Sequence, residues 1–160
     1  MSGTTTHIWR PSSARSVAIS GFTPVARGAQ AAPTTLAWPA KDPADVLDYQ
    51  FDVSAALAGS PNDSIASVAA AVTPGAVGGL TVLSTAVDGS KAILWLSGGT
   101  AGTVYTVQIL VIMNSGRTIS RSVLLPVMAL NPLVQPVSAL TTEQGTVVSD
   151  QAGNPILLGS

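Results

Sequence analysis

The feature that most constrains the fold is a strict alternation of apolar and polar side chains that begins at Leu47. The apolar members are Leu47, Tyr49, Phe51 and Val53, and the polar members are Asp48, Gln50, Asp52 and Ser54. A period of two places one set on each side of an extended chain, which is the pattern of a strand with one buried face. The alternation therefore predicts a half-buried β-strand.

Two further strands are predicted around an Asp-Gly pair. The segments Leu80–Val87 and Ala92–Ser97 are rich in apolar and β-branched residues, and Asp88-Gly89 lies between them. Because Asp-Gly supplies the positive φ angles of a type I′ turn, we expect a β-hairpin here. Upstream, residues 65–72 are a weaker strand candidate, since their alanines would also suit a helix.

The glycine-rich segment 98–102 is predicted to be a turn that leads into a strand at Val104–Met113. A further turn at 114–116 precedes a strand predicted within 117–128. Four consecutive strands on short turns predict an antiparallel meander, and the two earlier strands can supply a second sheet. The predicted fold is all-β, an immunoglobulin-like antiparallel β-sandwich. The chain has no cysteine, so the prediction concerns the architecture and not the disulfide of antibody domains.

The two ends of the chain differ from the predicted sandwich. Residues 1–37 are rich in Gly, Pro, Ser, Thr and Ala, and we expect an extended N-terminal arm with at most one short strand. Residues 38–130 are assigned to the β-sandwich domain. Residues 131–160 are assigned to a linker and a short C-terminal β-hairpin tail, which is too small to be stable alone in water. We expect both ends to become ordered on neighbouring molecules.

Charge is unusually scarce. Charged residues make up 9% of the chain, against about 25% in a typical soluble domain. Seven basic and eight acidic residues give a formal charge of −1, which argues against nucleic acid or an anionic membrane as a partner. No apolar stretch is long enough to span a bilayer, and the start lacks the pattern of a secretory signal. We interpret the chain as one that packs against other subunits, with a Ser/Thr-rich monomer as the alternative.

The candidate catalytic and metal-binding groups are weak. An acidic row, Asp42, Asp45, Asp48 and Asp52, would share a face on a helix and could hold Ca²⁺ there. The strand alternation argues against that helix, so a solvated strand face is the better interpretation. The single histidine, His7, has no visible group to orient it, and the segment 98–102 lacks the lysine of a phosphate loop. We predict no catalytic residue, no metal, no cofactor and no enzyme activity.

Large aromatic and apolar residues at the two ends are the candidate assembly contacts. Trp95 lies in a segment that is apolar on both faces, so we expect it in the core or in the core and an interface. Trp9 and Trp38 lie in proline-flanked segments outside the strand pattern, where they could anchor a partner or pack under loops. The predicted contact residues are Ile8, Trp9, Arg10, Trp38, Ile156, Leu157 and Leu158.

Several stretches, taken in order, resemble one family. The segment WPAKDP at 38–43, the segment LWLSGG at 94–99 and the segment GTVYTV at 102–107 resemble the phage fibre–tail adaptor proteins. The resemblance extends from about Trp38 to Val127. The chain departs from it at 65–77, which is richer in alanine, and at 108–113, which is more apolar.

The resemblance implies a structural protein of a tailed bacteriophage virion that attaches tail fibres to the tail or neck. It implies other virion proteins as partners, several copies in a symmetric assembly, synthesis in the host cytoplasm and a location in the virion tail. Two other functions stay open: a head decoration or other virion-surface protein, and a glycan-binding β-module. No nucleic acid and no membrane is expected as a partner.

Overall fold

A computed structural model of the chain describes residues 12–22, 24, 26–29, 34–131, 146 and 148–156. In this part of the chain, eight β-strands are joined by turns, a 3-10 turn at Ser13–Arg15 and one short helix, α1 (Ser54–Leu57). The strands are β1 (Ser16–Ala18), β2 (Leu36–Ala37), β3 (Val46–Asp52), β4 (Ile65–Thr73), β5 (Leu80–Asp88), β6 (Lys91–Gly98), β7 (Thr103–Met113) and β8 (Thr118–Val127). By its contacts the chain divides into two compact units, one up to Leu130 and one from Asn131.

The strands form two four-stranded sheets that pack as a sandwich. Sheet A has the strand order β1-β3-β6-β5, and sheet B has the order β2-β8-β7-β4. The predicted all-β sandwich is therefore confirmed, but the sheets are mixed: β1 lies parallel to β3 and β2 lies parallel to β8, while the other pairs are antiparallel.

The predicted four-stranded meander is wrong. The hairpin β5–β6 belongs to sheet A and the hairpin β7–β8 to sheet B, so the segment 98–102 carries the chain from one sheet to the other. Gly98, Gly99 and Gly102 all have positive φ angles, which glycine adopts without a steric penalty. A Cβ on Gly99 would lie 2.8 Å from Cγ2 of Val127, so the crossover also packs closely against β8.

The β5–β6 hairpin is confirmed, but its turn differs from the prediction. Asp88 pairs with Lys91, so the two loop residues are Gly89 and Ser90 rather than Asp88 and Gly89. Gly89 has a φ of +60°, whereas no residue other than glycine has a positive φ in the described chain. A positive φ at the first loop position alone fits a type II′ turn and excludes the predicted type I′ turn, which needs two.

The alanine-rich segment 65–72 forms strand β4, not a helix. Its side chains alternate between partly buried and exposed, and Val68, Ala70 and Val72 pack against the core. Strand β4 pairs along most of its length with β7, whose ladder supplies the hydrogen bonds that a helix would have formed internally. Tertiary pairing thus overrides the helical preference of alanine.

Two short strands from the N-terminal segment cover one side of the sandwich. Strand β1 extends sheet A beside β3, and β2 extends sheet B beside β8. Between them, Arg121 of β8 donates from Nη2 to the carbonyl oxygen of Ser20 at 3.1 Å, and its guanidinium lies 5.8 Å from the ring centre of Phe22. The predicted arm therefore holds two strands instead of one, and its described parts lie on the chain's own sandwich.

The core lies between the two sheets. Sheet B contributes buried side chains from β7 and β8, and β3 and β6 of sheet A supply the facing layer. The fully buried members of the core are Tyr49, Phe51, Val53, Ala92, Leu94, Leu96, Tyr105, Val107, Ile109, Val111, Val123, Leu125 and Val127. These positions alternate with outward-facing residues along each strand, so the period-two pattern of the sequence corresponds directly to the two faces of each sheet.

The second unit contains a tight hairpin in its described residues. Ser149 and Pro155 form an isolated bridge, and the amide of Ile156 donates to the carbonyl oxygen of Val148 at 2.8 Å. The Asp150 carboxylate accepts hydrogen bonds from the amides of Ala152 and Asn154, and these bonds hold the pKa of Asp150 below its ordinary value. The other predicted strand of the tail, around 140–142, lies outside the described residues.

Candidate assembly surfaces

The outer face of sheet B carries no charged side chain in the described part of the chain. Along each strand of sheet B, the buried side chains and their partners in the register point towards the core. The side chains between them point outward. None of the outward-facing residues on the four described strands of sheet B carries a charge. They are Ala37, Ser67, Ala69, Ala71, Thr73, Val104, Thr106, Gln108, Leu110, Ile112, Thr118, Ser120, Ser122, Leu124 and Pro126. We call this surface the uncharged face.

The centre of the uncharged face contains a shallow depression of about 350 Å³. It is lined by alanines of β4 and by Gln108, Leu110 and Ser120. Small side chains on β4 and β8 leave this space, and Leu110 is 37% exposed beside it. A surface with few charges and with exposed apolar side chains can be covered by another protein without leaving an ion unpaired.

Sheet A presents a different outer face, because its edge is polar. Arg15 donates from Nη2 to Oδ1 of Asp48 at 2.7 Å and from Nε to the Asp48 carbonyl oxygen at 2.7 Å. Gln50 donates to the hydroxyl of Ser16 at 2.8 Å. These bonds attach the N-terminal segment to β3. They also satisfy the side chains of Asp48 and Gln50, which point outward from the sheet but are buried.

Two more polar arrangements lie at opposite ends of the sandwich. The first is centred on Lys41. This side chain is completely buried, and Nζ donates to the carbonyl oxygens of Gly98 and Asp42, both at 2.7 Å. Burial lowers the pKa of Lys41, while the carboxylates of Asp45 and Asp42 act in the opposite direction. Because it is held between these two backbone carbonyl oxygens, the Lys41 ammonium group fastens the crossover to the turn before β3.

The second arrangement joins the β3–β4 loop to the β7–β8 turn. Asp63 accepts hydrogen bonds from the hydroxyl of Ser115 at 2.6 Å and from the Ser115 amide at 3.1 Å. The Ser115 bonds are the largest cause that lowers the pKa of Asp63, with Ser64 and the nearby Arg117 adding to it. Arg117 lies 3.7 Å from Asp63 and donates to the hydroxyl of Ser60 at 3.0 Å. A shallow cavity of about 370 Å³ lies over this cluster.

The predicted contact residues have different positions. Trp38 is only 2% exposed, its ring lies 5.0 Å from that of Tyr49, and its Nε1 donates to the Gln50 carbonyl oxygen at 3.3 Å. Of the two alternatives for Trp38, a partner anchor or packing within the chain's own fold, these contacts favour the second, because Trp38 directly follows β2 and lies in the core. Ile156 is 41% exposed. Ile8, Trp9, Arg10, Leu157 and Leu158 lie outside the described residues, as does His7.

Trp95 lies outside the core, where both expected positions had placed it at least in part. Leu94 and Leu96 point into the core, so Trp95 points outward on sheet A, where it is partly buried beside Asp48 and Ser84 in the register. It is not a core residue.

The acidic row of the sequence does not form a metal centre. Asp48 and Asp52 lie on β3, and Asp42 and Asp45 are used in the turn before it, where Asp45 accepts from the Asp42 amide. Among the described residues, no group of three or more histidine or acidic side chains is placed to bind a metal ion. The helices in this part of the chain are too short to cross a membrane.

Sequence reasoning missed both the uncharged face and the buried Lys41. The signal for the face is present in the sequence as two long runs without a charged residue, 64–87 and 92–116. The signal for Lys41 is absent, because a lysine between prolines looks like part of an exposed turn. Its role depends on the position of Gly98, which is distant in sequence.

This fold places the chain among the all-β sandwich proteins. Residues 41–126 match the family model described as podophage GP4 fiber-tail adaptor protein gp77, which is more than half of the chain. The chain belongs to this family of phage fibre–tail adaptor proteins, and the resemblance noted in the sequence is confirmed. The first and last matched residues, Lys41 and Pro126, are joined by a backbone hydrogen bond of 2.9 Å. No curated protein matches the chain.

Proposed function

We propose that the chain attaches tail fibres to the tail or neck of a phage particle through subunit contacts and without catalysis. The observation that carries this proposal is the family match, because it extends over all six strands from β3 to β8 and so covers most of the two sheets. The titratable groups at the ends of the body support it, since Lys41 and Asp63 are engaged in bonds that brace loops.

The uncharged face is the surface that we assign to contact with a neighbouring virion protein. A partner that covers this face removes exposed apolar groups such as Val104 and Leu110 from water, and it desolvates no charge on this side of the contact. On sheet A, the polar side chains of Asp48 and Gln50 are already bonded to Arg15 and Ser16 of the chain's own N-terminal segment, so they offer fewer unsatisfied groups to a partner.

The ends of the chain provide the second set of contacts in this proposal. Residues 16–18 and 36–37 pair with the chain's own sheets, which leaves residues 1–11 and 131–160 as the segments that dock on the tail or the fibre. Of these, the exposed Ile156 offers an apolar side chain on a hairpin. A segment that becomes ordered on a partner buries a large area for its size.

The test is complementation of a phage that lacks this gene with charged variants of the uncharged face. We expect Gln108→Glu combined with Ser120→Asp to reduce the number of fibres on each particle, because both positions are exposed at the centre of the face. Val46→Asp is the matched control, since Val46 is 50% exposed on sheet A. Fibres are counted by electron microscopy, and the chain is located by a label.

Two results would contradict the proposal. Particles with a full set of fibres in the absence of the chain would remove the attachment role, and a label on the head would indicate a decoration protein instead. The contribution of the ends is tested separately by deleting residues 1–11, which leaves β1 in place. A normal number of fibres on particles with that deletion would exclude a role for this segment.

A further inference from the structure

The two lateral edges of the sandwich differ in whether a further strand of the chain covers them. On one side, β1 and β2 cover the edges of β3 and β8. On the other side, β5 is the last strand of sheet A and β4 is the last strand of sheet B. The two edges adjoin, because the Thr85 hydroxyl donates to the carbonyl oxygen of Val68 at 3.3 Å. Only one side of the described body is therefore closed by the chain itself.

The open edge of β5 has the features of a strand that pairs with another chain. The strand is nine residues long, and every residue from Leu83 to Asp88 is exposed. Leu83 and Val87 expose 57% and 43% of their surface. Natural edge strands are commonly protected by charges, prolines or bulges. Residues 80–87 include no charged residue and no proline. Of the three kinds of protection, this part of β5 has only the bulge at Leu83.

We propose that β5 pairs antiparallel with β5 of a second copy of this chain, about a two-fold axis near Ser84. Ser84 is the middle residue of the strand, so this axis pairs β5 along nearly its whole length. A two-fold axis at Ser84 places Ser84 opposite its own symmetry mate and every other residue opposite the one equally far on the other side of Ser84, so that Asp88 faces the uncharged Leu80. Like charges opposite each other are unfavourable, and Ser84 is the position at which a charge would meet its own copy. A strand without charge from Leu80 to Val87 satisfies that condition in any register.

The size of the open side fits such a dimer. Nine residues at about 3.3 Å per residue give a length of roughly 30 Å, and two sheets about 10 Å apart with their outer side chains give a thickness of roughly 20 Å. The footprint is then on the order of 600 Å² per copy, which is about the lower limit for a specific interface. The pairing also brings the two β4 edges together, because β4 lies directly beside β5. The result is one sandwich that continues through both copies, and it does not depend on the fibre-attachment role.

The test is the association state of the purified chain and of two oppositely charged variants, Ser84→Lys and Ser84→Asp. We expect the natural chain to form dimers in sedimentation equilibrium. Each variant alone should associate about tenfold more weakly, because it places like charges opposite each other across the axis. An equimolar mixture of the two variants should recover the dimer. Leu110→Lys, on the uncharged face, is the matched control and should associate like the natural chain.

Hydrogen exchange identifies the contact as strand pairing. We expect alternate backbone amides of Thr81 to Val87 to become protected as the protein concentration rises, since the outward amides of an edge strand gain a partner. Thermal unfolding of each variant checks that the exposed substitution leaves the fold intact. A natural chain that stays monomeric to about 1 mM would overturn the proposal. So would a dimer that survives both Ser84 variants but is lost in Leu110→Lys.

Discussion

Nζ of Lys41 lies 2.7 Å from the carbonyl oxygen of Gly98, and this bond fastens the segment that leads into β3 to the crossover between the sheets. The same ammonium group donates to the Asp42 carbonyl oxygen. The Lys41 backbone amide donates to Pro126, and the Lys41 carbonyl accepts from the Met128 amide. One residue thus connects the end of β8, the crossover and the turn before β3, which explains why a lysine is fully buried here.

Replacing Lys41 with methionine should destabilise the chain by about 2–3 kcal/mol, because two buried carbonyl oxygens lose a charged donor while the side-chain volume is kept. The free energy of unfolding from urea titration at pH 7 measures the effect. Lys91→Met is the control, since Lys91 is partly exposed at the start of β6. If Lys41→Met left the free energy of unfolding unchanged, the two hydrogen bonds would make no net contribution to stability.

The chain should lose stability in alkali through Tyr49. Burial is the main cause that raises the pKa of Tyr49 to about 12, with Asp45 and Asp48 adding to it and Arg15 opposing. The unfolded tyrosine loses its proton near pH 10, so the folded state binds more protons between about pH 10 and 12 and its stability falls as the pH rises. The loss from this residue should reach about 2.5 kcal/mol by pH 12.

Tyr49→Phe isolates this effect, because it keeps the ring that packs on Trp38. We expect the difference in unfolding free energy between the natural chain and the variant to be constant up to pH 9 and to shift towards the variant above pH 10. The lowered pKa of Lys41 acts in the opposite direction in both proteins and cancels in the difference. A difference that stays constant to pH 12 would contradict the prediction.

The Asp63 carboxyl should titrate below its ordinary pKa of 3.8, mainly because the Ser115 hydroxyl donates to it. A lowered pKa in the folded state contributes stability that is present above the unfolded pKa and is lost as the pH falls through the folded pKa. Ser115→Ala should raise the pKa of Asp63 towards its ordinary value. The carboxyl carbon shift in an NMR titration measures this, and Ser120→Ala, on the same hairpin but away from Asp63, is the control.

Gly99→Ala should destabilise the chain more than Gly102→Ala. Both glycines have positive φ angles, +104° and +85°, so each alanine carries a backbone penalty of about 1–2 kcal/mol. A Cβ on Gly99 also meets the buried Val127 at 2.8 Å, whereas a Cβ on Gly102 meets nothing within 4 Å. The contact with Val127 should add about 1–3 kcal/mol, measured as the difference between the two variants in urea unfolding. Equal losses would mean that β8 adjusts without cost.

The positions of most strands could be predicted from the sequence because each has one buried face. The alternation at Leu47–Val53 and at Tyr105–Val111 corresponds to β3 and β7, and the glycine-containing turns mark their ends. The assignment of strands to sheets could not be predicted in the same way. A four-residue connection such as 99–102 can close a hairpin or cross between sheets about 10 Å apart, and the choice depends on contacts distant in sequence, such as Gly99 with Val127 and Lys41 with Gly98.

The arm strands and the buried polar contacts were beyond the reach of local patterns. Strands β1 and β2 have three and two residues, too few to show a period, and they form because the edges of β3 and β8 offer hydrogen bonds. Trp38 shows the same limit. A tryptophan between an alanine and a proline resembles an exposed anchor, yet β2 delivers it to the core beside Tyr49.

The absence of charge on the outer face of sheet B determines how a contact there responds to the medium. Attraction between ions weakens as dissolved salt shortens its range, but the burial of alkyl and hydroxyl groups is little affected by ordinary salt. A protein–protein contact on this face should therefore persist at salt concentrations that dissociate ion-paired subunits. It should weaken on cooling instead, since the driving force for removing apolar groups from water declines with temperature.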